Sequence, residues 1–170
     1  YIWGPPAGKI SLLQKTKEAI YHYSYGRRMI NPYRFSDQML EFYIQKINKI
    51  NPKFIVAYVT PLYNIARFIN ERNIKCIQPS AIIATAEMLY PHQRNLIGKI
   101  FQCKVFNRYG CREVMLIASE CDCHIGMHLN IDNLYIEFLK DNNPVSPGEL
   151  GEIVITDLNN YGMPLIRYRI

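Results

Sequence analysis

The chain has 170 residues, of which 49% are hydrophobic and 20% are charged, as in ordinary soluble globular domains. No stretch approaches the roughly 20 apolar residues that a membrane-spanning helix needs, and Trp3-Gly4-Pro5-Pro6 interrupts any signal peptide at the start. The sequence therefore predicts a cytoplasmic protein with a real core and no membrane partner.

The chain carries a formal net charge of +6. Such a charge is typical either of a solvated basic surface or of a protein with an anionic ligand, a nucleotide or a nucleic acid. The basic residues are spread along the chain rather than massed in one tract, which weakens the case for a nucleic-acid partner.

Neither end of the sequence resembles a natural terminus. It begins at Tyr1 without a methionine and stops at Ile170 within an apolar and basic pattern. We therefore expect the chain to be a fragment of a longer protein.

Apolar residues recur at helical spacing in several segments of the first two thirds of the chain. Ser36 or Asp37 can cap one of these helices, because a short side-chain oxygen satisfies free amides in the first turn. The predicted helices cover residues 10–23, 61–72 and 91–101, and the helix capped by Ser36 or Asp37 runs to residue 50.

Short apolar runs rich in strand-forming residues alternate with these helices and read as buried parallel strands. After them the pattern changes to alternating apolar and polar residues around a turn at 144–148, which predicts an antiparallel hairpin.

The predicted class is α/β, a parallel sheet flanked by helices followed by a smaller antiparallel β region. We place an α/β nucleotide-binding subdomain at 1–120 and a Cys/His-rich segment with the hairpin at 121–170. The predicted buried strands are 54–59, 81–85, 104–106 and 114–118, and the hairpin strands are 133–139 and 149–158.

The most informative motif spans residues 107–113, Asn-Arg-Tyr-Gly-Cys-Arg-Glu. If the strand at 104–106 ends just before it, the motif lies on a loop at the carboxyl end of a parallel strand, where α/β sheets bind ligands. The Tyr109 ring can stack on a base, and Gly110 lets backbone approach a ligand closely. The Glu113 carboxylate can hold a divalent cation.

Further short segments occur in a fixed order around this motif. They are Ala84-Thr85-Ala86-Glu87, then 117–121, 126–128, 136–138, 148–158 and 160–169. The ordered set resembles the phenylacetate–CoA ligase-like branch of the adenylate-forming (acyl-CoA synthetase) superfamily, which includes capsular-polysaccharide biosynthesis proteins. The resemblance implies that the chain is a fragment of the large N-terminal domain of such an enzyme.

The resemblance implies a two-step reaction. ATP and a carboxylic acid form an acyl-adenylate and pyrophosphate, and a thiol, usually coenzyme A, then takes the acyl group. Ala86 and Glu87 resemble the turn that lines the adenine, and Tyr109 resembles the ring that packs on it. Asn107 and Arg108 would border the base.

Two further residues of the motif would contact charged groups of the substrates or the metal ion. Glu113 resembles the carboxylate near Mg²⁺ and the phosphates. Arg112 stands where many relatives carry threonine, and we interpret it as a marker of the polysaccharide-type branch and a contact for an anion. The family's phosphate loop, ribose-binding aspartate and C-terminal lid do not occur in the sequence, so we expect this chain alone to be incomplete and inactive.

The chain contains five cysteines, and a group of metal-ligand residues follows the motif. Cys121, Cys123, His124 and His128 lie within eight residues, and thiolate and imidazole are the ligands that zinc prefers. They predict a structural zinc site, with Cys103 or Cys111 able to replace one ligand. The alternative is a set of reduced cysteines packed as small hydrophobic residues.

Two other functions stay open from the sequence. One is a non-catalytic, zinc-stabilised α/β binding module, and the other is a basic nucleic-acid binder. A homodimer is a further expectation, while the identity of the acyl substrate is not written in any motif.

Overall fold

The structure, a computed structural model, describes residues 2–3, 11–30 and 36–170. The chain forms two compact units, residues 1–108 and 109–170. The start of the first predicted helix, residue 10, lies outside the described residues.

The first unit is built on a parallel sheet with the strand order β2-β1-β3-β4-β5. The strands are β1 (Ile2–Trp3), β2 (Met29–Ile30), β3 (Phe54–Tyr58), β4 (Ala81–Thr85) and the first residues of β5 (Lys104–Cys111). The helices that alternate with them are α1 (Leu12–Ser24), α2 (Asp37–Ile50), α3 (Val59–Arg72) and α4 (Pro91–Phe101).

Burial explains why these segments take this arrangement. The central strands place small and branched side chains inside, and the helices add an apolar stripe of their own, as parallel sheets require. Each strand and the helix beside it therefore bury apolar side chains that either element alone would expose to water. The fully buried residues include Ile55, Ala57, Leu62, Ile65, Ala66, Ile82, Ala84, Ile97 and Phe101.

The helix ends follow local signals. Ser36, not Asp37, is the N-cap of α2, and its hydroxyl accepts a hydrogen bond from the Met39 amide at 3.4 Å. Asn51 and Asn73 end α2 and α3 in the left-handed conformation that asparagine tolerates. Helix α3 begins at Val59, two residues before the proline that was predicted to open it.

The second unit is antiparallel. Strands β6 (Met115–Ser119) and β7 (His128–Leu129) pair in one sheet. The other sheet has the order β11-β10-β8-β9. The core of the second unit is formed by Val114, Ile117, Leu134 and Ile155. Its strands are β8 (Leu134–Lys140), β9 (Asn143–Pro144), β10 (Glu152–Asp157) and β11 (Tyr168–Arg169).

The predicted fold class is confirmed: a parallel sheet with helices is followed by a smaller antiparallel region. The predicted hairpin is the β8–β10 pair, with Leu134 opposite Asp157 and Leu139 opposite Glu152. Within the described ranges, no helix is both long and apolar enough to cross a membrane.

Candidate functional site

The turn after β4 carries two of the predicted nucleotide-binding residues. Ala86 has a φ of 68°, a left-handed conformation that side-chain-bearing residues adopt at a cost. The next residue, Glu87, accepts a hydrogen bond through Oε2 from the backbone amide of Thr60 at 2.6 Å. Thr60 lies in the first turn of α3, so the turn after β4 is tied to the start of the preceding helix.

The next strand brings two more predicted residues to the same edge. In β5, Asn107 lies opposite Ala84 of β4, and both Asn107 and Arg108 are half-buried. Because β4 and β5 are parallel, their carboxyl ends meet at one edge of the sheet. The structure thus places Ala86, Glu87, Asn107 and Arg108 at the end where α/β sheets bind ligands.

Tyr109 and Gly110 lie in a strand, and the prediction that they occupy a loop was wrong. Strand β5 continues to Cys111, and its last residues run beside β6 within the second unit. The Tyr109 ring is 39% exposed, so it can be reached by a ligand.

Gly110 has a structural reason to lack a side chain. A Cβ atom at this position would lie 1.9 Å from the backbone oxygen of Met115, closer than any real contact. The glycine therefore permits the close approach of β5 and β6, whether or not a ligand approaches it as well.

Arg112 and Glu113 lie in the tight turn that joins β5 to β6, and both side chains are exposed. A hydrogen bond from its own backbone amide, and then one from the Cys111 side chain, lowers the pKa of the Glu113 carboxyl. The Arg112 charge lowers it further. Glu113 is consequently an anion at neutral pH and is open to a cation.

In the Cys/His segment three of the predicted zinc ligands, Cys121, Cys123 and His128, contact one another through Cys121, whereas the side chain of the fourth, His124, contacts Glu120. Hydrogen bonds from the Cys123 backbone amide, and then from the His128 side chain, lower the pKa of the Cys121 thiol. The Cys123 side chain also contacts Cys121. His124 instead places Nδ1 3.2 Å from Oε2 of Glu120.

This arrangement does not form the predicted zinc site. No three histidine, cysteine, aspartate or glutamate side chains in the described part of the chain are placed to hold a metal ion. The two cysteines named as replacements pack against separate cores: Cys111 against that of the second unit, and Cys103 against that of the first.

The role of Thr60 was not predicted from the sequence. Its contribution is a backbone amide, and its partner Glu87 is 27 residues away, so no local pattern marks the pair. The local signal is that the N-cap residue of α3 is a tyrosine, Tyr58, which makes no side-chain hydrogen bond to the helix.

No protein-family model matches the chain. Over 165 residues it is 29% identical to Protein CapK of Staphylococcus aureus, a match that covers 95% of the chain and 35% of CapK. The chain thus spans about a third of the length of this curated relative.

Solved structures of acid–CoA ligases share the fold. One is 2-hydroxyisobutyryl-CoA ligase with 2-HIB-AMP, at a TM-score of 0.66 and 18% identity, covering 99% of this chain and 38% of the ligase. Another is the anthranilate CoA ligase AuaEII with anthranoyl-AMP, at a TM-score of 0.58 and 11% identity, covering 78% of this chain and 26% of that one. Together with the CapK match, they confirm the resemblance of this chain to the adenylate-forming superfamily, in its CapK-like branch.

Proposed function

We propose that this chain forms the nucleotide-binding part of an ATP-dependent acyl ligase. The enzyme would activate a carboxylic acid as an acyl-adenylate and transfer the acyl group to coenzyme A or another thiol. The observation that carries the proposal is the placement of the Ala86 turn, Asn107 and Arg108 at the same carboxyl edge of the parallel sheet.

The nucleotide would be held by shape and stacking. The Ala86–Glu87 turn and the Asn107–Arg108 pair would border the adenine, and the resemblance of the motif assigns the stacking ring to Tyr109. Stacking suits this task because every purine presents a flat, polarisable surface that an aromatic ring covers without needing a charged partner.

Activation of the acid joins a carboxylate oxygen to the α-phosphorus of ATP and releases pyrophosphate. The two reactants are both anions, so their approach needs positive charge. Arg112 supplies a cation beside the phosphates or the acid. The exposed, ionised Glu113 suits Mg²⁺, which prefers carboxylate oxygens and, when bound, offsets the phosphate charge.

The second step would pass the acyl group from the adenylate to a thiol, releasing AMP. The support comes from similar proteins: 2-hydroxyisobutyryl-CoA ligase has been solved in complex with 2-HIB-AMP and CoA. A role in polysaccharide biosynthesis rests on the branch to which the motifs are similar and on the CapK match.

Structural zinc stays a hypothesis with a smaller ligand set, and its binding would require these side chains to move, because no three in the described part of the chain are placed to hold a metal ion. Its support is that Cys121 contacts both Cys123 and His128. His124 is engaged by Glu120 and leaves the set.

The nucleotide site is tested with Tyr109→Ala in the protein that carries this sequence. We expect the dissociation constant for ATP to rise by about 5- to 150-fold, because base stacking on an aromatic ring contributes about 1–3 kcal/mol. Isothermal titration calorimetry measures the affinity.

Tyr135→Ala is the matched control. Tyr135 is another tyrosine of the second unit and is 60% exposed on β8, outside the candidate site. ATP affinity should be unchanged in this variant. Equal affinities in the Tyr109 variant and the wild type would remove Tyr109 from the site, and a wild type that binds no nucleotide would favour a non-catalytic module.

A further inference from the structure

The carboxylate of Glu87 is committed to a helix end. Its Oε2 atom accepts the Thr60 amide at 2.6 Å, a short distance typical of a hydrogen bond to a charged acceptor. This contact joins the first turn of α3, which directly follows β3, to the turn after the neighbouring parallel strand β4.

The start of α3 needs such a partner. The first amides of a helix have no acceptor within the helix, and they carry the positive end of its dipole. The N-cap residue, Tyr58, makes no side-chain hydrogen bond to these amides. Glu87, in the turn after β4, therefore supplies the hydrogen-bond acceptor that a serine or aspartate at the N-cap supplies in other helices.

The same contact holds a strained turn. Ala86 has a φ of 68°, and a conformation of this kind persists only where the surrounding structure fixes it on both sides. On one side Ala84 is buried in β4, and on the other Leu89 is buried in the core. Glu87, the residue directly after Ala86, adds the hydrogen bond to Thr60.

We propose that Glu87 is a positioning residue, which fixes the Ala86 turn against α3 so that the turn's backbone, and not the Glu87 carboxylate, borders the nucleotide. The inference rests on the proposed function of this edge of the sheet. It assigns to Glu87 a task that any hydrogen-bond acceptor of the same length can perform.

The test uses Glu87→Ala and Glu87→Gln in the protein that carries this sequence. The exchange rate of the Thr60 amide, followed by NMR, reports the tether. We expect the alanine variant to speed this exchange and to weaken ATP binding, each by roughly tenfold, because a charged hydrogen bond is lost.

The glutamine variant separates position from charge. Its amide oxygen can accept the same hydrogen bond, so Thr60 exchange and ATP affinity should both stay within about threefold of the wild type. Glu71→Ala is the matched control, since Glu71 also lies on α3 but pairs only with Arg67 near the other end of the helix among the contacts described. It should change neither quantity.

Two results would overturn the positioning role. In the first, the glutamine variant protects Thr60 but loses as much ATP affinity as the alanine variant, which would mean that the charge itself meets the ligand. In the second, the alanine variant leaves Thr60 exchange unchanged. A wild type that binds no ATP would instead remove the proposed function and the positioning role with it, while Thr60 exchange would still show whether Glu87 caps α3.

Discussion

The cysteines of this chain differ in their surroundings, although each is a free thiol. Burial raises the pKa of Cys76 and of Cys103 to about 11. The Cys123 amide and His128 act in the opposite direction on Cys121 and lower its pKa. A thiol with a lowered pKa is ionised to a greater extent near neutral pH, and the thiolate is the reactive form.

We expect iodoacetamide at pH near 7.5 to alkylate Cys121 at least about tenfold faster than Cys76 or Cys103. Peptide mass spectrometry at increasing reaction times measures the three rates. His128→Ala should slow the reaction of Cys121, because it removes a hydrogen bond that stabilises the thiolate. Equal rates at all three cysteines would contradict the geometry around Cys121.

The alkylation rate of Cys121 also tests whether this segment binds zinc. A zinc ion held by Cys121, Cys123 and His128 would protect Cys121 from alkylation, and elemental analysis of protein purified without added metal would detect it. If zinc is absent and added zinc gives no protection, the alternative of packed, reduced thiols is the better account of this segment.

At the scale of the element, the close contact between β5 and β6 is the feature with the clearest energetic consequence. Gly110 faces the Met115 backbone oxygen so closely that a methyl group cannot fit without a backbone shift. Met115 itself has a φ of 63°, so the turn between the two strands is already constrained.

We expect Gly110→Ala to lower the free energy of unfolding by about 1–3 kcal/mol, the usual range for overpacking a tight contact. Urea unfolding measures the change as a shift of the midpoint. Gly162→Ala is the control in the same unit, because a Cβ there would meet nothing within 4 Å. The contact would be contradicted if both variants unfolded at the same midpoint as the wild type.

At the scale of the whole molecule, Cys76 and Cys103 link stability to alkaline pH. Both pack against the core of the first unit, and burial raises each pKa from 9.0 to about 11. Between these pH values the unfolded chain loses the thiol protons while the folded chain keeps them. Their contribution to stability is therefore complete below pH 9.0 and is lost as the pH rises through about 11.

We expect the free energy of unfolding of the wild type to fall more steeply between pH 9.0 and 11 than that of a Cys76→Ala/Cys103→Ala variant. Urea unfolding at several pH values in this range measures both slopes. The comparison removes the effect of tyrosines and lysines, which titrate in both proteins. Parallel slopes would show that the two thiols are not protected from ionisation by the fold.

The sequence by itself determined the class of the fold and several element bounds. Strand β4 and helix α4 have the predicted limits, because a buried apolar run and a Pro-initiated helix are both encoded locally. The order of short motifs resembles that of the adenylate-forming superfamily, and the chain is 29% identical to Protein CapK over 165 residues.

Only the tertiary structure decided which partner each candidate side chain meets. Glu87 accepts the Thr60 amide, β5 continues through Tyr109 to Cys111, and His124 turns to Glu120 instead of joining Cys121. The reason is that periodicity and capping describe residues up to about four positions apart, whereas the Glu87 contact joins residues 27 apart. The length of β5 likewise depends on the strand beside it and not on its own apolar run.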